Sequence, residues 1–131
     1  MGESEDLKRY VEGGDGISVI RGSSNCRSWN NIQYKPGVSA KNVGSKNLSM
    51  NVATIPPGGV AYAHIHVGFE VMLYLLEGRV RHEYGDGLKK TVENEAGDFR
   101  WWLSWRARMR VNGRTSFPTT ELRASEATRL V

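Results

Sequence analysis

The sequence predicts a single all-β domain, and three observations support this fold class. Short apolar stretches rich in β-branched and aromatic residues alternate with turn residues about every ten positions. Fifteen of the 131 residues are Gly and 39% are hydrophobic, which is typical of a globular chain with many turns. A chain of this length buries enough surface to form one core without metal or disulfide support. We therefore expect a β-sandwich or a β-barrel.

The predicted elements follow one another between recognisable turns. Pro-Gly and Gly-Asp-Gly sequences mark these turns, because Pro fixes φ and Gly permits positive φ. We expect a polar arm over residues 1–16 that is helical or loose around residues 6–12. Strands are expected at residues 17–20, 29–34, 48–55, 60–67, 69–76, 79–84 and 88–92.

The composition favours a cytoplasmic protein. The longest apolar run, residues 71–76, is far shorter than the roughly 20 residues that a membrane helix needs. No basic segment followed by an apolar one opens the chain, so we expect no secretory signal. The single cysteine, Cys26, excludes an internal disulfide and fits a reducing compartment.

The net charge of +4 comes entirely from the last quarter of the chain. Residues 1–99 carry 11 Lys or Arg against 12 Asp or Glu, whereas residues 100–131 carry seven Arg against two Glu. That last segment contains three of the four Trp and no Lys, Asp, His or Ile. Basic residues beside Trp can bind nucleic acid. Since residues 1–99 offer no such surface, we do not expect a nucleic-acid partner.

A His-x-His sequence is the strongest chemical signal. On a strand, residues two apart point to one face, so His64 and His66 should project together. Glu70 follows Gly68, which permits a turn that brings the carboxylate round. Two imidazoles and a carboxylate form a ligand set for a divalent first-row metal with open positions. Alternatively, the two histidines do not bind a metal and are hydrogen-bonded polar residues on a half-exposed strand.

These residues resemble the first motif of the cupins. That motif is Gly, five residues, His-x-His, three or four residues, Glu, six residues and Gly. Gly58, His64, His66 and Glu70 match it, and Gly78 comes one residue late. The resemblance implies a double-stranded β-helix (jelly-roll) barrel with a metal ion at its mouth, and commonly a homodimer.

The second cupin motif is not preserved. It runs Gly, five residues, Pro-x-Gly, two residues, His, three residues and Asn. Gly97 and Asn112 match, but Leu103, Trp105 and Arg108 stand at the Pro, Gly and His positions. Arg cannot replace the third histidine ligand, because it stays protonated and has no lone pair to donate.

The resemblance covers residues 45–99, so we divide the chain into the arm, a barrel core over residues 17–99 and an atypical basic tail over residues 100–131. Two explanations of the tail remain open. It either replaces the closing strands of the barrel or is the product of a shifted reading frame, which would disrupt the C-terminal part of the fold. Back-translation with a shift of two nucleotides permits a run similar to the last cupin strand.

His82 is the remaining histidine. Arg79, Arg81 and Glu83 share one strand face, so His82 should lie on the opposite face and point into the barrel. It is either a third histidine ligand or a hydrogen-bonded interior histidine. Tyr74 is a further candidate as a proton donor, although a lining role also explains it.

The resemblance implies a metal-dependent small-molecule enzyme. We expect a divalent ion held by His64, His66, Glu70 and His82, with zinc favoured over Fe, Mn or Ni, and catalytic roles for Glu70 and Tyr74. Zinc favours Lewis-acid cyclisation or isomerisation of a carbonyl or polyketide-like substrate. Iron favours a dioxygenase. A non-catalytic, ligand-binding cupin is the third possibility.

Overall fold

The computed structural model describes the chain apart from several short segments. Described are residues 7–21, 27–29, 32–64, 66, 68–102, 109–111, 114–116, 119–124 and 128–131. The strands among them are β1 (Val11–Gly14), β2 (Ile17–Ile20), β3 (Arg27–Trp29), β4 (Ile32–Pro36), β5 (Asn51–Ile55), β6 (Val60–His64), β7 (Val71–Glu77), β8 (Arg79–Gly85), β9 (Lys90–Glu95), β10 (Phe99–Trp102), β11 (Met109–Val111), β12 (Arg114–Ser116), β13 (Thr119–Ala124) and β14 (Thr128–Leu130). A helix, α1, spans Ala40–Val43, and a 3-10 turn spans Asp86–Leu88.

The all-β prediction is confirmed. Two larger sheets dominate the fold, with six strands in the order β10-β7-β14-β5-β4-β3 and four in the order β6-β13-β8-β9. The pairs β1–β2 and β11–β12 form two further small sheets. All described pairings are antiparallel. Two antiparallel sheets of this kind each bury one face and leave the other exposed to water.

The N-terminal arm contains a hairpin that the sequence did not predict. Leu7 and Lys8 are helical, but the segment expected to be helical or loose around residues 6–12 ends in β1, which pairs with β2. Asp15 and Gly16 connect these strands with φ of 53° and 87°. Positive φ at both positions of a two-residue connection matches the twist of the flanking strands, so an Asp-Gly sequence favours a hairpin here.

The core lies between the two larger sheets. Leu73 and Leu75 on β7 and Val80 on β8 belong to one buried cluster, which shows that the inner faces of both sheets meet. The other members of the cluster are Ile32, Ala53, Ile55, Ala61 and Leu130. This arrangement defines the interior face of every strand that carries a candidate site residue.

The tail supplies strands at internal positions of both larger sheets. β13 lies between β6 and β8 in the four-stranded sheet, and β14 lies between β7 and β5 in the six-stranded sheet. Leu130 of β14 is a member of the buried core. A shifted reading frame stays a prediction that the coding DNA would test.

No helix in the described part of the chain is long and apolar enough to cross a membrane.

We expect Ile55→Val to destabilise the protein by about 1 kcal/mol. Ile55 is fully buried at the centre of the core, so loss of one methylene group leaves a small void. Ile17→Val is the matched control, because Ile17 is 70% exposed and the same change should shift stability by less than about 0.5 kcal/mol. Chemical denaturation measures both values. Equal effects at the two positions would contradict this description of the core.

Candidate metal centre

A β-bulge sets the direction of His64. Ala61 and His64 on β6 pair with Leu122 and Thr120 on β13, so three steps along β6 match two along β13. Residues directly opposite each other on paired strands share a face, and positions 120 and 122 share one too. His64 therefore lies on the same face as Ala61, which is fully buried.

His66 lies beyond the end of β6. The predicted strand over residues 60–67 ends at His64, which pairs with Thr120 of β13. The two histidines nevertheless meet, with ring centroids 4.9 Å apart and ring planes at 76°. Phe69 packs edge-on against the far side of the pair, 5.3 Å from the His66 ring. The loop, and not strand alternation, brings the second imidazole to the first.

The ring of His64 is oriented by a backbone contact. Its Nδ1 lies 2.7 Å from the carbonyl oxygen of Tyr62, so Nδ1 carries the proton and donates it. The lone pair is then on Nε2. Metal-ligating histidines are commonly fixed in this way by a second hydrogen bond.

His82 points into the barrel, as the sequence predicts. It is only 1% exposed, and its Nδ1 lies 3.3 Å from Oδ1 of Asn94 on the neighbouring strand β9. The Asn94 oxygen accepts the hydrogen bond from Nδ1, which again leaves the lone pair on Nε2. On β13, Thr120 pairs with His64 on one side and with Tyr84 on the other, and Leu122 pairs with His82. His82 is therefore displaced by two residues along the strands from the position opposite His64.

Burial lowers the pKa of two of the imidazoles, those of His82 and His66. Desolvation, reinforced by the charge of Arg100, lowers the pKa of His82 to about 4, although the Asn94 hydrogen bond acts in the opposite direction. Desolvation and the charge of His64 also lower the pKa of His66. Since a metal ion binds the neutral imidazole, both shifts favour metal binding near neutral pH.

Glu70 is exposed and follows the Gly68 turn, where φ is 82°. No group of three or more His, Cys, Asp or Glu side chains within the described residues is arranged to hold a metal ion. The structure therefore brings His64 and His66 together but does not bring Glu70 or His82 to ligating distance.

Tyr74 lies on the wrong face of β7 for the proposed proton transfer. Its neighbours Leu73 and Leu75 are buried, whereas its ring packs 4.5 Å from that of Phe99, which is 73% exposed. Alternation along a strand therefore directs Tyr74 outward. We do not include it in the site.

Solved structures provide the comparison. A candidate ethanolamine utilization protein Q from Salmonella typhimurium is 13% identical, with a TM-score of 0.65 over 92% of this chain and 87% of that one. The cupin domain of Schizosaccharomyces pombe Cnp3 is 11% identical, with a TM-score of 0.62 over 87% and 72%. A predicted oxalate decarboxylase from Thermotoga maritima is 17% identical, with a TM-score of 0.57 over 76% and 75%.

The chain has the cupin fold. Identities of 11–17% establish the fold alone. No family model and no curated protein matches the sequence. The predicted jelly-roll architecture is confirmed. Within this fold, Gly58 precedes β6, His64 ends β6, His66 and Glu70 lie in the loop before β7, and Gly78 separates β7 from β8. Leu103, Trp105 and Arg108 of the second motif lie outside the described residues.

The donor atoms of His64 and His66 are of the type that binds a divalent first-row metal ion. Two imidazoles that ligate one zinc ion at about 2.1 Å have centroids about 5 Å apart, close to the separation of His64 and His66. His82 offers a third imidazole of the same tautomer. Among the described residues, Glu70 and His82 are the candidates for a third ligand.

Sequence reasoning missed two interior residues, Asn94 and Arg100. Asn94 is 8% exposed, and its inward position follows from Glu93 and Glu95, which pair outward with Arg81 and Arg79. The alternation of charged residues around Asn94 could have predicted its inward position. The sequence around Arg100 predicts the opposite of what is found, because its large apolar neighbours would be expected to occupy the interior.

Proposed function

We propose that this cupin is a metal-dependent small-molecule enzyme whose ion binds to His64 and His66. The observation that supports the proposal is the convergence of the two imidazoles, 4.9 Å apart, with His64 held through its Nδ1 hydrogen bond to Tyr62. A resident zinc ion would supply Lewis acidity toward a carbonyl oxygen, which is the basis of cyclisation or isomerisation through an enolate.

Glu70 is proposed as the third ligand or as the base. No hydrogen bond or ion pair of Glu70 occurs among the described residues, so its carboxylate can change rotamer without breaking a contact. It follows His66 by four residues on the same loop. A carboxylate at this place can complete the ligand set or accept a proton from the carbon next to a carbonyl group.

His82 is proposed as the alternative third donor. Its neutral ring and fixed tautomer suit ligation, and its charge-neutral state persists to about pH 4. Three imidazoles would favour zinc, whereas two imidazoles and a carboxylate would also suit Fe, Mn or Ni. Fe, Mn or Ni bound to the purified protein would therefore favour the ligand set that includes the carboxylate.

We expect Glu70→Gln to separate the two roles of Glu70. If the carboxylate is the base, turnover should fall by about 100-fold or more while metal content stays unchanged, because the amide cannot accept the proton. If it is a ligand, metal affinity should fall as well. Elemental analysis and rates on the same preparation measure both effects. Glu77→Gln is the control, because Glu77 pairs with Arg129 on the surface. Unchanged metal content and unchanged rate in Glu70→Gln would contradict both roles.

The reaction class is tested with a 1,3-diketone in D₂O. The zinc-loaded protein should accelerate exchange of the acidic C–H proton beyond free zinc at the same concentration. Oxygen uptake by the iron-loaded protein, without exchange by the zinc form, would favour the dioxygenase instead. Metal binding with neither activity would favour the non-catalytic, ligand-binding cupin.

The homodimer implied by the resemblance is also a proposal. Met72, Tyr74, Phe99 and Trp101 pair across β7 and β10 and place apolar groups on one outer face, three of them more than half exposed. The molecular mass measured in solution tests the expected dimer.

A further inference from the structure

Strand register places Arg100 on the interior face. On β10, Arg100 pairs with Leu73 of β7, and residues directly opposite each other share a face. Leu73 is 4% exposed and belongs to the core, so the Arg100 side chain leaves β10 on the core side. Its neighbours Phe99 and Trp101 are 73% and 59% exposed on the outer face. Phe99 and Trp101 are therefore outside, and the charged residue between them is inside.

The guanidinium of Arg100 reaches across to the other sheet. Its Cζ lies 5.2 Å from the ring centroid of Tyr84, which is on β8 of the four-stranded sheet. The residue is half-buried, and desolvation lowers its pKa while the contact with Tyr84 raises it. Arg remains protonated in any case. A cation–π contact at this distance stabilises the charge only in part.

The described residues provide no carboxylate for this charge. The ion pairs of the outer faces involve Arg21, Arg79, Arg81 and Arg129, and Arg100 is in none of them. The ionisable groups that face it from β8 are Tyr84 and His82, and burial together with the charge of Arg100 lowers the pKa of His82. A half-buried guanidinium with no carboxylate beside it among the described residues creates a positive potential in this part of the interior.

The Tyr84 ring that Arg100 contacts lies in the same row of the four-stranded sheet as His64. Thr120 of β13 pairs with His64 on one side and with Tyr84 on the other. Two strand spacings separate His64 from Tyr84, a distance of about 10 Å between their Cα atoms. Both side chains project inward from these positions. A molecule of a few carbon atoms can therefore span from the imidazoles to the guanidinium.

We propose that Arg100 binds the carboxylate group of the substrate, so that the ligand of this cupin is a small carboxylic acid with its reactive carbonyl group toward His64 and His66. The binding of a carboxylate is inferred from the position of Arg100, whereas the placement of the carbonyl group toward the histidines rests on the function proposed above. The guanidinium offers parallel N–H donors that match both oxygens of a carboxylate. Such an anchor holds the far end of the substrate and excludes neutral carbonyl compounds, because they leave the buried charge uncompensated.

The test compares levulinate, which carries a carboxylate and a ketone, with its methyl ester. Calorimetry measures the Kd of each for the metal-free protein and for the zinc-loaded protein. We expect Arg100→Gln to weaken levulinate binding by about 10- to 100-fold and to leave the ester unaffected. Arg81→Gln is the control, because Arg81 pairs with Glu93 on the outer face. If Arg100→Gln does not fold, Arg100→Lys, which keeps the charge without the planar donor pair, should show a smaller loss in the same direction.

Three outcomes would overturn the inference. These are failure of levulinate to bind the wild-type protein, equal affinity for the acid and the ester, and levulinate binding that is unchanged in the Arg100 variants. Arg100-dependent binding to the metal-free protein, together with a lack of zinc binding, would support the anchor and contradict the proposed function. If the zinc-loaded protein accelerates C–H exchange of the diketone but levulinate binding does not depend on Arg100, the proposed function is supported and the carboxylate anchor is contradicted.

Discussion

The double variant His64→Ala/His66→Ala should lose the metal ion almost completely. We expect about one equivalent of a divalent metal per chain in the wild-type protein and less than about a tenth of that in the variant. Loss of a single hydrogen-bond partner of a ligand weakens metal binding by about 10- to 100-fold, so removal of two ligands should exceed about 100-fold. Elemental analysis after dialysis against a weak chelator measures the content.

Tyr62→Ala is the matched control for that experiment. Tyr62 is 62% exposed and lies on β6 between Ala61 and His64, and its carbonyl oxygen, which orients the His64 ring, is kept in the variant. Metal content in this control should stay near the wild-type value. Full occupancy in the double histidine variant would refute the metal centre.

The free energy of unfolding of the metal-free protein should fall as the pH decreases from about 6.5 to 4. The pKa of His82 is about 4 in the folded state and about 6.5 in the unfolded state. Between pH 6.5 and pH 4 the unfolded chain binds more protons than the folded protein does. Protonation therefore stabilises the unfolded state more than the folded state as the pH falls. The contribution is fully present above pH 6.5, and about 3 kcal/mol is lost by pH 4. The lowered pKa of His66 acts in the same direction.

Two variants isolate the His82 contribution. His82→Leu removes the titrating ring at similar volume, and His82→Gln keeps a donor for Asn94 without titrating. Both should be less stable than the wild-type protein at pH 7.5, but their stability should change far less between pH 7 and 4.5. Urea denaturation in the presence of a chelator gives these values. A pH dependence equal to that of the wild-type protein in both variants would show that another group is responsible.

Alternation and turn residues were sufficient to predict several elements of the fold. The strand β8 is an example, because Arg79 and Arg81 form ion pairs on the outside while Val80 and His82 are buried. A period of two is a local property of a strand, so the inward direction of His82 follows from its neighbours alone. The spacing of His64, His66 and Glu70 was likewise sufficient to indicate the resemblance to the cupins.

Local patterns failed where pairing with distant strands sets the outcome. The bulge that directs His64 arises in the pairing of β6 with β13, and these strands are more than fifty positions apart in the sequence. The N-terminal hairpin was missed because the residues of β1 show no strand periodicity and were assigned to a helical or loose arm, whereas β2 was predicted. Tyr74 was assigned to the site because its outward direction depends on the burial of Leu73 and Leu75 on either side of it.

The sequence by itself determined the all-β class, the candidate metal ligands and the inward position of His82, because composition, spacing and strand alternation are properties of short segments. Only the tertiary structure decided that the tail provides the internal strands β13 and β14, and that Arg100 faces the core while Phe99 and Trp101 face outward. The physical reason is register. Which face a residue occupies is fixed by its partner on another strand, and hydrogen bonding across the sheet can oppose the preference of the side chain itself.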